Sequence, residues 1–276
     1  MKDSSLRSIY GIGNYSIGND RFRGEVEIAM IEVSDLSKTY GDYAAVSKVS
    51  FSAAKGDIVG FLGPNGAGKT TTIRMLATYL PPSSGSASIA GFDILREADE
   101  VRKHIGYLPE NPPLYPEMTV HEYLKFIAEI KGVPRAKIQE RISEVIEQCF
   151  ITDVRNKLCQ HLSRGYRQRV GLAQAIIHDP EVIILDEPTS GLDPKQIIDI
   201  RKLIHSLGES HTVVLSTHIL PEVSMLCNKV VIISNGRVVI ESELGDLTKD
   251  KDLEQIFIES VSREEDMGEN GSPQAA

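Results

Sequence analysis

The chain has 276 residues, of which 41% are hydrophobic and 25% charged; this excludes a mostly disordered or fibrous protein and predicts one large domain or a domain with a lobe. Its 30 basic and 39 acidic side chains give a formal net charge of -9, which disfavours nucleic acid as a partner. No apolar run reaches the roughly 18–20 residues that a membrane-spanning helix needs, and the N-terminus lacks the apolar stretch of a signal peptide, so we expect a soluble chain in the cytoplasm.

The two ends of the chain differ in composition from its middle. Residues 1–29 are rich in Gly, Ser, Asn and Arg without helical or strand periodicity, and we expect them to be disordered. A C-terminal extension is expected over residues 246–276, with a disordered tail from about residue 263, where the chain is acidic and aperiodic. Residues 30–245 are therefore predicted to form the folded domain.

The first part of this domain carries two strand patterns and then two helix patterns. Residues 46–51 and 57–62 have the apolar spacing of strands, and the second runs directly into a glycine-rich turn. Thr119 starts a capping box ahead of one amphipathic helix, and Pro134 is expected in the first turn of the next. Because no strand separates these helices, residues from about 117 to 175 are predicted to form an all-helical lobe inserted into an α/β core.

The second part of the domain returns to alternating strands and helices. Residues 182–185 form a short apolar run typical of a buried strand, residues 195–207 have helical spacing, and residues 212–216 predict another strand. Asn235-Gly236 lies between two apolar runs, which predicts a β-hairpin. The fold class expected from this order is α/β.

A phosphate-binding loop is the first motif with a chemical meaning. Residues 63–70 match G-x-x-x-x-G-K-[ST], with a predicted strand before the loop and a helix after it. The glycines allow consecutive backbone N–H groups to converge on phosphate oxygens at a helix N-terminus. Lys69 is expected to reach the β- and γ-phosphates of ATP, and Thr70 to place its hydroxyl on Mg²⁺. The predicted nucleotide contacts are Gly63, Pro64, Asn65, Gly66, Ala67, Gly68, Lys69, Thr70 and Thr71.

Two carboxylates follow the apolar run at 182–185. Asp186 and Glu187 stand at the C-terminal end of a predicted buried strand, where open α/β sheets bind ligands. Asp186 is expected to hold Mg²⁺ or its water molecules, and Glu187 to accept a proton from the attacking water. Together with the phosphate loop, this pair predicts an ATPase.

The segment Leu162-Ser163-Arg164-Gly165-Tyr166 lies between the phosphate loop and these carboxylates. With it, the chain resembles the nucleotide-binding subunits of ABC transporters, whose signature motif is L-S-G-G-Q ahead of a helix. The resemblance covers about residues 31–240. It implies a P-loop core with a mixed sheet, an N-terminal antiparallel β subdomain and the inserted helical lobe. It also implies adenine stacking by Tyr40, a nucleotide and metal contact by Glu110 (where the family usually has Gln), a D-loop contact by Asp193 and a catalytic switch histidine at His218.

The same resemblance implies that the chain is one of two ATPase subunits in a transporter. Ser163 and Gly165 of one copy would close on the γ-phosphate held by the other copy in a head-to-tail dimer. A separate transmembrane permease subunit is the other implied partner and would hold the pair at the inner face of the cell membrane. Arg164 and Tyr166 depart from the family signature, which we expect to function nonetheless. Residues 108–118 are the expected coupling surface, and their form is similar to exporter-type subunits of the drug-resistance, sodium-export and gliding-motility group.

Two other functions stay open at this point. The chain could be a soluble ABC-type ATPase that acts on a non-membrane partner such as an iron–sulfur assembly scaffold, and co-purification would distinguish that partner from a permease. It could also be a nucleotide-gated binding module with little hydrolysis. The presence of Glu187 disfavours this last function, because the candidate base is there.

Overall fold

The computed structural model describes residues 29–269, with side chains to residue 262. Its strands form two β-sheets and its helices pack around them, so the predicted α/β fold with a mixed sheet and an antiparallel subdomain is confirmed. The parts of the predicted disordered ends at residues 1–28 and 270–276 lie outside the described residues.

The smaller sheet is antiparallel. Its strands are β1 Ala29–Tyr40, β2 Tyr43–Ala54, β4 Ser84–Ile89 and β5 Phe92–Asp93, and their order is β2-β1-β4-β5. Val33 in β1 pairs with Phe51 on one side and with Ala87 on the other. The Phe51 ring lies 5.5 Å from the ring of Phe61, which belongs to the larger sheet, so the two sheets share apolar packing.

The larger sheet is mixed, and its strands are β3 Ile58–Leu62, β6 Ile105–Leu108, β7 Val182–Asp186, β8 Thr212–Thr217, β9 Lys229–Ser234 and β10 Arg237–Glu243. Their order in the sheet is β10-β9-β3-β8-β7-β6. Only the β9–β10 pair is antiparallel among the described pairs of this sheet. Every residue of β7 and β8 is buried, because helices cover both faces of a parallel sheet; this is why β7 appears in the sequence as a continuous apolar run. The parallel strands bring their carboxyl ends to one edge of the sheet.

The β9–β10 hairpin has the turn predicted at Asn235-Gly236. Both residues have a positive φ, 48° and 76°, as a type I′ turn requires. The Gly236 N–H donates to the Ala67 carbonyl, and the Gly236 carbonyl accepts from the Ser47 N–H. The hairpin tip therefore supports the phosphate loop from the side of β2.

The predicted helical lobe is formed by α3 Val120–Ile130, α4 Ile138–Gln148 and α5 Arg164–Ile176. The capping box at Thr119 is present, with Glu122 as its second member. The prediction for Pro134 is wrong: its backbone is extended, with ψ 132°, and a short 3₁₀ turn separates it from α4, so it lies before the helix rather than in its first turn.

The remaining helices pack against the sheets. The C-terminal helix, which begins at Leu253, packs Leu253 and Ile256 against the core. It continues through residues 263–269, where the composition predicts a frayed tail, and Glu and Met in this stretch are good helix formers. Within residues 29–269, no helix is long and apolar enough to cross a membrane. These helices are α1 Lys69–Leu76, α2 Ala98–His104, α6 Pro194–Gly208, α7 Leu220–Leu226, α8 Leu244–Leu247 and α9 Leu253–Glu269.

Candidate active site

A pocket of about 470 Å³ opens at the carboxyl edge of the larger sheet, where β3, β7 and β8 end. Most of the residues predicted to bind nucleotide line it, and they come from chain segments up to about 180 positions apart. The lining residues are Tyr40, Tyr43, Ala45, Asn65, Gly66, Gly68, Lys69, Thr70, Thr71, Glu110, Glu187, Ser190 and His218.

Each glycine of the phosphate loop is required at its position for its own structural reason. Gly66 has φ +83° and no described atom within 4 Å of where a Cβ would stand, so its backbone borders open space in the pocket. Gly68 has φ +100°, and a Cβ there would lie 2.7 Å from the Ala45 carbonyl oxygen. Gly63 does not line the pocket; a Cβ there would lie 2.4 Å from the Ile233 carbonyl oxygen. The loop therefore needs Gly66 and Gly68 for their backbone conformation, and Gly63 for close packing on β9.

Lys69 is held inside the pocket by the loop that carries it. Its Nζ donates to the carbonyl oxygens of Gly63 at 2.8 Å and Pro64 at 3.1 Å, and lies 3.5 Å from Glu187 Oε1. The side chain is 6% exposed. Burial lowers the pKa of Lys69 from its ordinary value, and the Glu187 carboxylate opposes this shift. A buried ammonium group beside three oxygens is suited to bind the oxygens of a phosphate group.

Glu187 has a strained backbone and, besides Lys69, contacts two further polar residues. Its φ is +48°, which is rare for a residue with a Cβ, and its N–H donates to the carbonyl and hydroxyl oxygens of Ser216. His218 Nδ1 lies 3.0 Å from Glu187 Oε2. Glu187 and His218, the two residues predicted to be catalytic, are therefore in direct contact at the pocket wall.

Thr70, Asp186 and Glu110 were the predicted metal contacts. The Thr70 hydroxyl donates to Asp186 Oδ1 at 3.2 Å, and Asp186 is buried behind it, also accepting from the Ser216 hydroxyl at 2.6 Å. Glu110 also lines the pocket. The donors are all oxygens, which fits Mg²⁺, an ion that proteins hold with one or two carboxylates and with substrate phosphates. No cluster of three or more metal-type side chains occurs among residues 29–262, so a metal held by protein groups alone has no support there.

Two tyrosines stand at the mouth of the pocket. Tyr40 and Tyr43 face each other across the turn between β1 and β2, with 51% and 64% of their surface exposed. The Lys38 ammonium lies 5.5 Å from the centre of the Tyr40 ring. The arrangement presents aromatic faces to an incoming planar group. Sequence reasoning predicted only Tyr40, although the symmetric pattern Tyr-Gly-Asp-Tyr around a two-residue turn could have indicated Tyr43 as well.

Ser163, Gly165 and Asp193, also predicted nucleotide contacts, lie outside this pocket. Ser163 is the N-cap of α5, and its hydroxyl accepts from the Tyr166 N–H. Asp193 is the N-cap of α6 and forms a capping box with Gln196. A Cβ at Gly165 would lie 2.5 Å from the Gln196 side chain, so within one chain Gly165 is small because two helix N-termini pack together.

Four predicted contacts support the pocket without lining it: Gly63, Pro64, Ala67 and Asp186. Ala45 and Ser190 line it without having been predicted. Ala45 offered no signal, since an alanine side chain in a strand carries no group that binds phosphate or metal. Ser190 belongs to the segment matching the D-loop and could have been included with Asp193.

Comparison with known proteins, like the geometry of the pocket, indicates a nucleotide-binding protein. A profile of the family described as ABC transporter matches residues 46–190. The ABC transporter ATP-binding protein NatA of Bacillus subtilis (strain 168) is 38% identical over 243 residues, which cover 85% of this chain and 99% of NatA. The bacitracin transport ATP-binding protein BcrA of Bacillus licheniformis is 40% identical over 222 residues, which cover 80% of this chain and 72% of BcrA.

A solved structure adds an assembled state. The ATP-binding cassette MJ0796, in a dimeric post-hydrolysis state bound to ADP and Pi, is similar with a TM-score of 0.72 and 26% identity, covering 78% of this chain and 99% of that one.

Proposed function

The chain belongs to the ABC transporter family of ATP-binding subunits. We propose that it hydrolyses ATP in a head-to-tail dimer to drive export through a separate membrane permease. The observation that carries the proposal is the separation of two half-sites on one chain. Lys69 and Glu187 line the pocket, whereas Ser163 is exposed at the N-terminus of α5, outside it. A second copy would bring the two halves together around one nucleotide.

The pocket has the groups that phosphoryl transfer to water needs. Glu187 would accept a proton from the water whose oxygen attacks the γ-phosphorus, while the bond from that phosphorus to the β,γ-bridging oxygen breaks. His218, at 3.0 Å from Glu187 Oε2, would orient this carboxylate. Lys69 would stabilise the negative charge of the phosphate oxygens. ADP and inorganic phosphate are the products, as bound in the solved relative.

Mg²⁺ would enter with the nucleotide. Thr70, Asp186 and Glu110 would hold the ion or its water molecules, and the ion would neutralise charge on the β- and γ-phosphates. Glu110 supplies a carboxylate where the resemblance leads us to expect an amide, so it adds one negative charge to this part of the pocket.

The second half-site is the N-terminus of α5. Ser163 and the first N–H groups of this helix form a site suited to an anion, because the helix dipole is positive at this end. In the proposed dimer the anion is the γ-phosphate of the ATP bound by the other copy. Two ATP molecules then hold the subunits together, and hydrolysis removes the contact. The dimeric, product-bound relative supports this assembly.

The segment 108–118 is the proposed contact with the permease. Glu110 at its start lines the nucleotide pocket, and Pro112 packs so closely against α5 that a Cβ at Gly171 would lie 2.6 Å from Pro112 Cγ. Nucleotide binding at Glu110 would therefore move this segment and the lobe together. The permease would hold the dimer at the inner face of the cell membrane. BcrA, named for bacitracin transport, supports transport as the role.

The decisive experiment uses Glu187→Gln to stop hydrolysis while leaving ATP binding intact. With ATP, this variant should form a stable dimer by light scattering, and the wild type should turn ATP over and stay mostly monomeric. Glu187→Gln combined with Lys69→Ala is the matched control, since it loses the phosphate grip and should remain monomeric. A Glu187→Gln chain that stays monomeric at high concentration, even with a permease present, contradicts the proposal.

The partner is tested separately by affinity purification of the tagged chain from detergent-solubilised membranes of its native host. A multi-span membrane protein that co-purifies in an ATP-dependent manner supports transport. A soluble scaffold in its place would indicate the alternative ABC-type ATPase. Absence of ATP turnover by the wild type would instead favour a nucleotide-gated binding module.

A further inference from the structure

One fully buried carboxylate lies behind the active site without lining it. Glu222, in the first turn of α7, is 0% exposed. A carboxylate in such a place is strongly destabilising unless hydrogen bonds or a cation compensate it. The groups around Glu222 therefore explain why a charged side chain is tolerated there.

Two hydroxyl groups and one guanidinium group surround the Glu222 carboxylate. The Thr189 hydroxyl donates to Oε1, and the Thr217 hydroxyl donates to Oε2 at 2.8 Å. Arg201 Nη2, from α6, lies 3.8 Å from Oε1. Both threonine side chains are buried, so these hydrogen bonds are shielded from water.

These contacts join the two chain segments that carry the catalytic pair. Thr189 lies two residues after Glu187, and Thr217 directly precedes His218. The Thr217 hydroxyl also accepts from the Ile219 N–H, on the other side of His218. One oxygen of Glu222 thus holds the Glu187 segment, and the other holds the His218 segment.

We propose that Glu222 is a positioning residue that holds Glu187 and His218 at their contact distance, an inference that rests on the catalytic roles proposed above. Glu187 has a φ of +48°, and such a strained conformation persists only where its surroundings hold it. The Thr189–Glu222 hydrogen bond restrains the segment just after this strained residue. Glu222 does not line the nucleotide pocket, so its effect reaches the reaction through Glu187 and His218.

The test uses the full-length protein and compares substitutions that break the Thr189–Glu222–Thr217 hydrogen bonds with one that keeps them. Glu222→Ala should lower kcat for ATP by at least about tenfold while KM for ATP stays within about threefold, because hydrogen bonds to a buried charged group are lost away from the nucleotide. Glu222→Gln should recover most of the lost kcat, since a side-chain amide can accept from one hydroxyl and donate to the other.

Substitution of the two threonines tests the same proposal independently. Thr189→Val and Thr217→Val should each lower kcat, and the double variant should be no slower than Glu222→Ala, because breaking either end already disconnects the two segments. In hydrogen exchange, Glu222→Ala should increase the exchange rate in both segments, around Glu187 and around His218.

Val33→Ala, in β1, is the control for loss of stability alone. It removes buried apolar atoms far from α7 and should lower Tm with little change in kcat. The inference is overturned if Glu222→Ala keeps the wild-type kcat, if it loses activity only in proportion to Tm as Val33→Ala does, or if exchange rises in one segment alone. Lack of turnover by the wild type would contradict the proposed hydrolysis instead, and the exchange measurement would still decide the role of Glu222.

Discussion

Single glycines in the phosphate loop are constrained by different forces, and this difference can be measured. Gly66 borders open space and is constrained by its φ of +83°, whereas Gly63 is constrained by the Ile233 carbonyl oxygen, 2.4 Å from where a Cβ would stand. Sequence reasoning treated all the loop glycines as phosphate-facing. The structure assigns Gly63 to packing between the loop and β9.

We expect Gly63→Ala to destabilise the fold more than Gly66→Ala. Overpacking against backbone at Gly63 should lower the free energy of unfolding by at least about 2 kcal/mol, and the left-handed conformation at Gly66 should cost an added methyl group about 1 kcal/mol. Urea denaturation of the two variants beside the wild type measures both values. Equal losses, or a larger loss at Gly66, would show that backbone conformation rather than packing governs both positions.

The aromatic pair at the pocket mouth predicts a shared role in base binding. Tyr43→Ala should raise KM for ATP about three- to tenfold with kcat nearly unchanged, as should Tyr40→Ala, because ring stacking contributes about 0.5–1.5 kcal/mol to binding beyond burial. Tyr79→Ala is the matched control, since Tyr79 is also an exposed tyrosine but lies outside the pocket. An unchanged KM in Tyr43→Ala would limit stacking to Tyr40.

Among the secondary-structure elements, the start of β6 is tied to the helical lobe by two half-buried basic side chains. Lys131, just after α3, donates from Nζ to the carbonyl oxygens of Arg102 and Ile105. His178 Nε2 donates to the Ile105 carbonyl at 3.0 Å. Because β6 leads to Glu110 in the pocket, these contacts connect the orientation of the lobe with the nucleotide site.

The His178 contact predicts a specific pH dependence of stability. Burial, reinforced by the Lys131 charge, lowers the pKa of His178 to about 4 in the folded chain. Between about pH 4 and pH 6.5, the unfolded chain binds a proton at this residue and the folded chain does not, so folded-state stability falls as the pH falls through this window.

Replacement of His178 by Gln should remove that part of the acid sensitivity. Between about pH 7 and about pH 4.5, the wild type should lose about 1–2 kcal/mol more unfolding free energy than His178→Gln. Urea denaturation at both pH values measures the difference, and other titrating groups cancel in the comparison. Equal losses in the two proteins would mean that His178 keeps its ordinary pKa in the folded chain.

In the molecule as a whole, the two proposed half-sites lie apart on one chain. The pocket with Lys69 lies at the sheet edge, and Ser163 caps a helix outside it. The N-terminus of α5 therefore contributes no residue to the pocket of its own chain. A head-to-tail pair of copies is the proposed way to complete the site.

Mixing two inactive variants tests this proposal directly. Lys69→Ala lacks the ammonium group proposed to bind phosphate, and Ser163→Arg blocks the proposed second half-site. Each variant alone should therefore be inactive. In a mixed dimer both changes fall in the same composite site and the other site is intact, so an equimolar mixture should recover up to about a quarter of wild-type turnover by random pairing. A mixture as inactive as the separate variants would contradict a site built from both copies.

The fold class was predictable because its signals are local. Turn chemistry at Asn235-Gly236, the capping box at Thr119 and the buried run ending in Asp186 each depend on neighbouring residues. The strands β4 to β6 gave no clear local pattern, because β4 carries small polar residues and β6 has only four. Of these, β4 and β6 form through partners distant in the chain, β1 and β7 respectively, and the two-residue β5 pairs with β4.

The chemistry of the site could be predicted from the chain's motifs: a phosphate loop with Lys69, the strand-end carboxylates Asp186 and Glu187, and an ATPase family. Which of these groups meet became clear from the folded chain. Glu187 contacts His218, Tyr43 lies opposite Tyr40, and Glu222 connects the segments that carry Glu187 and His218. The reason is physical: a motif specifies which atoms are available, but contacts between segments distant in the chain form only when sheet pairing and burial bring their backbones together.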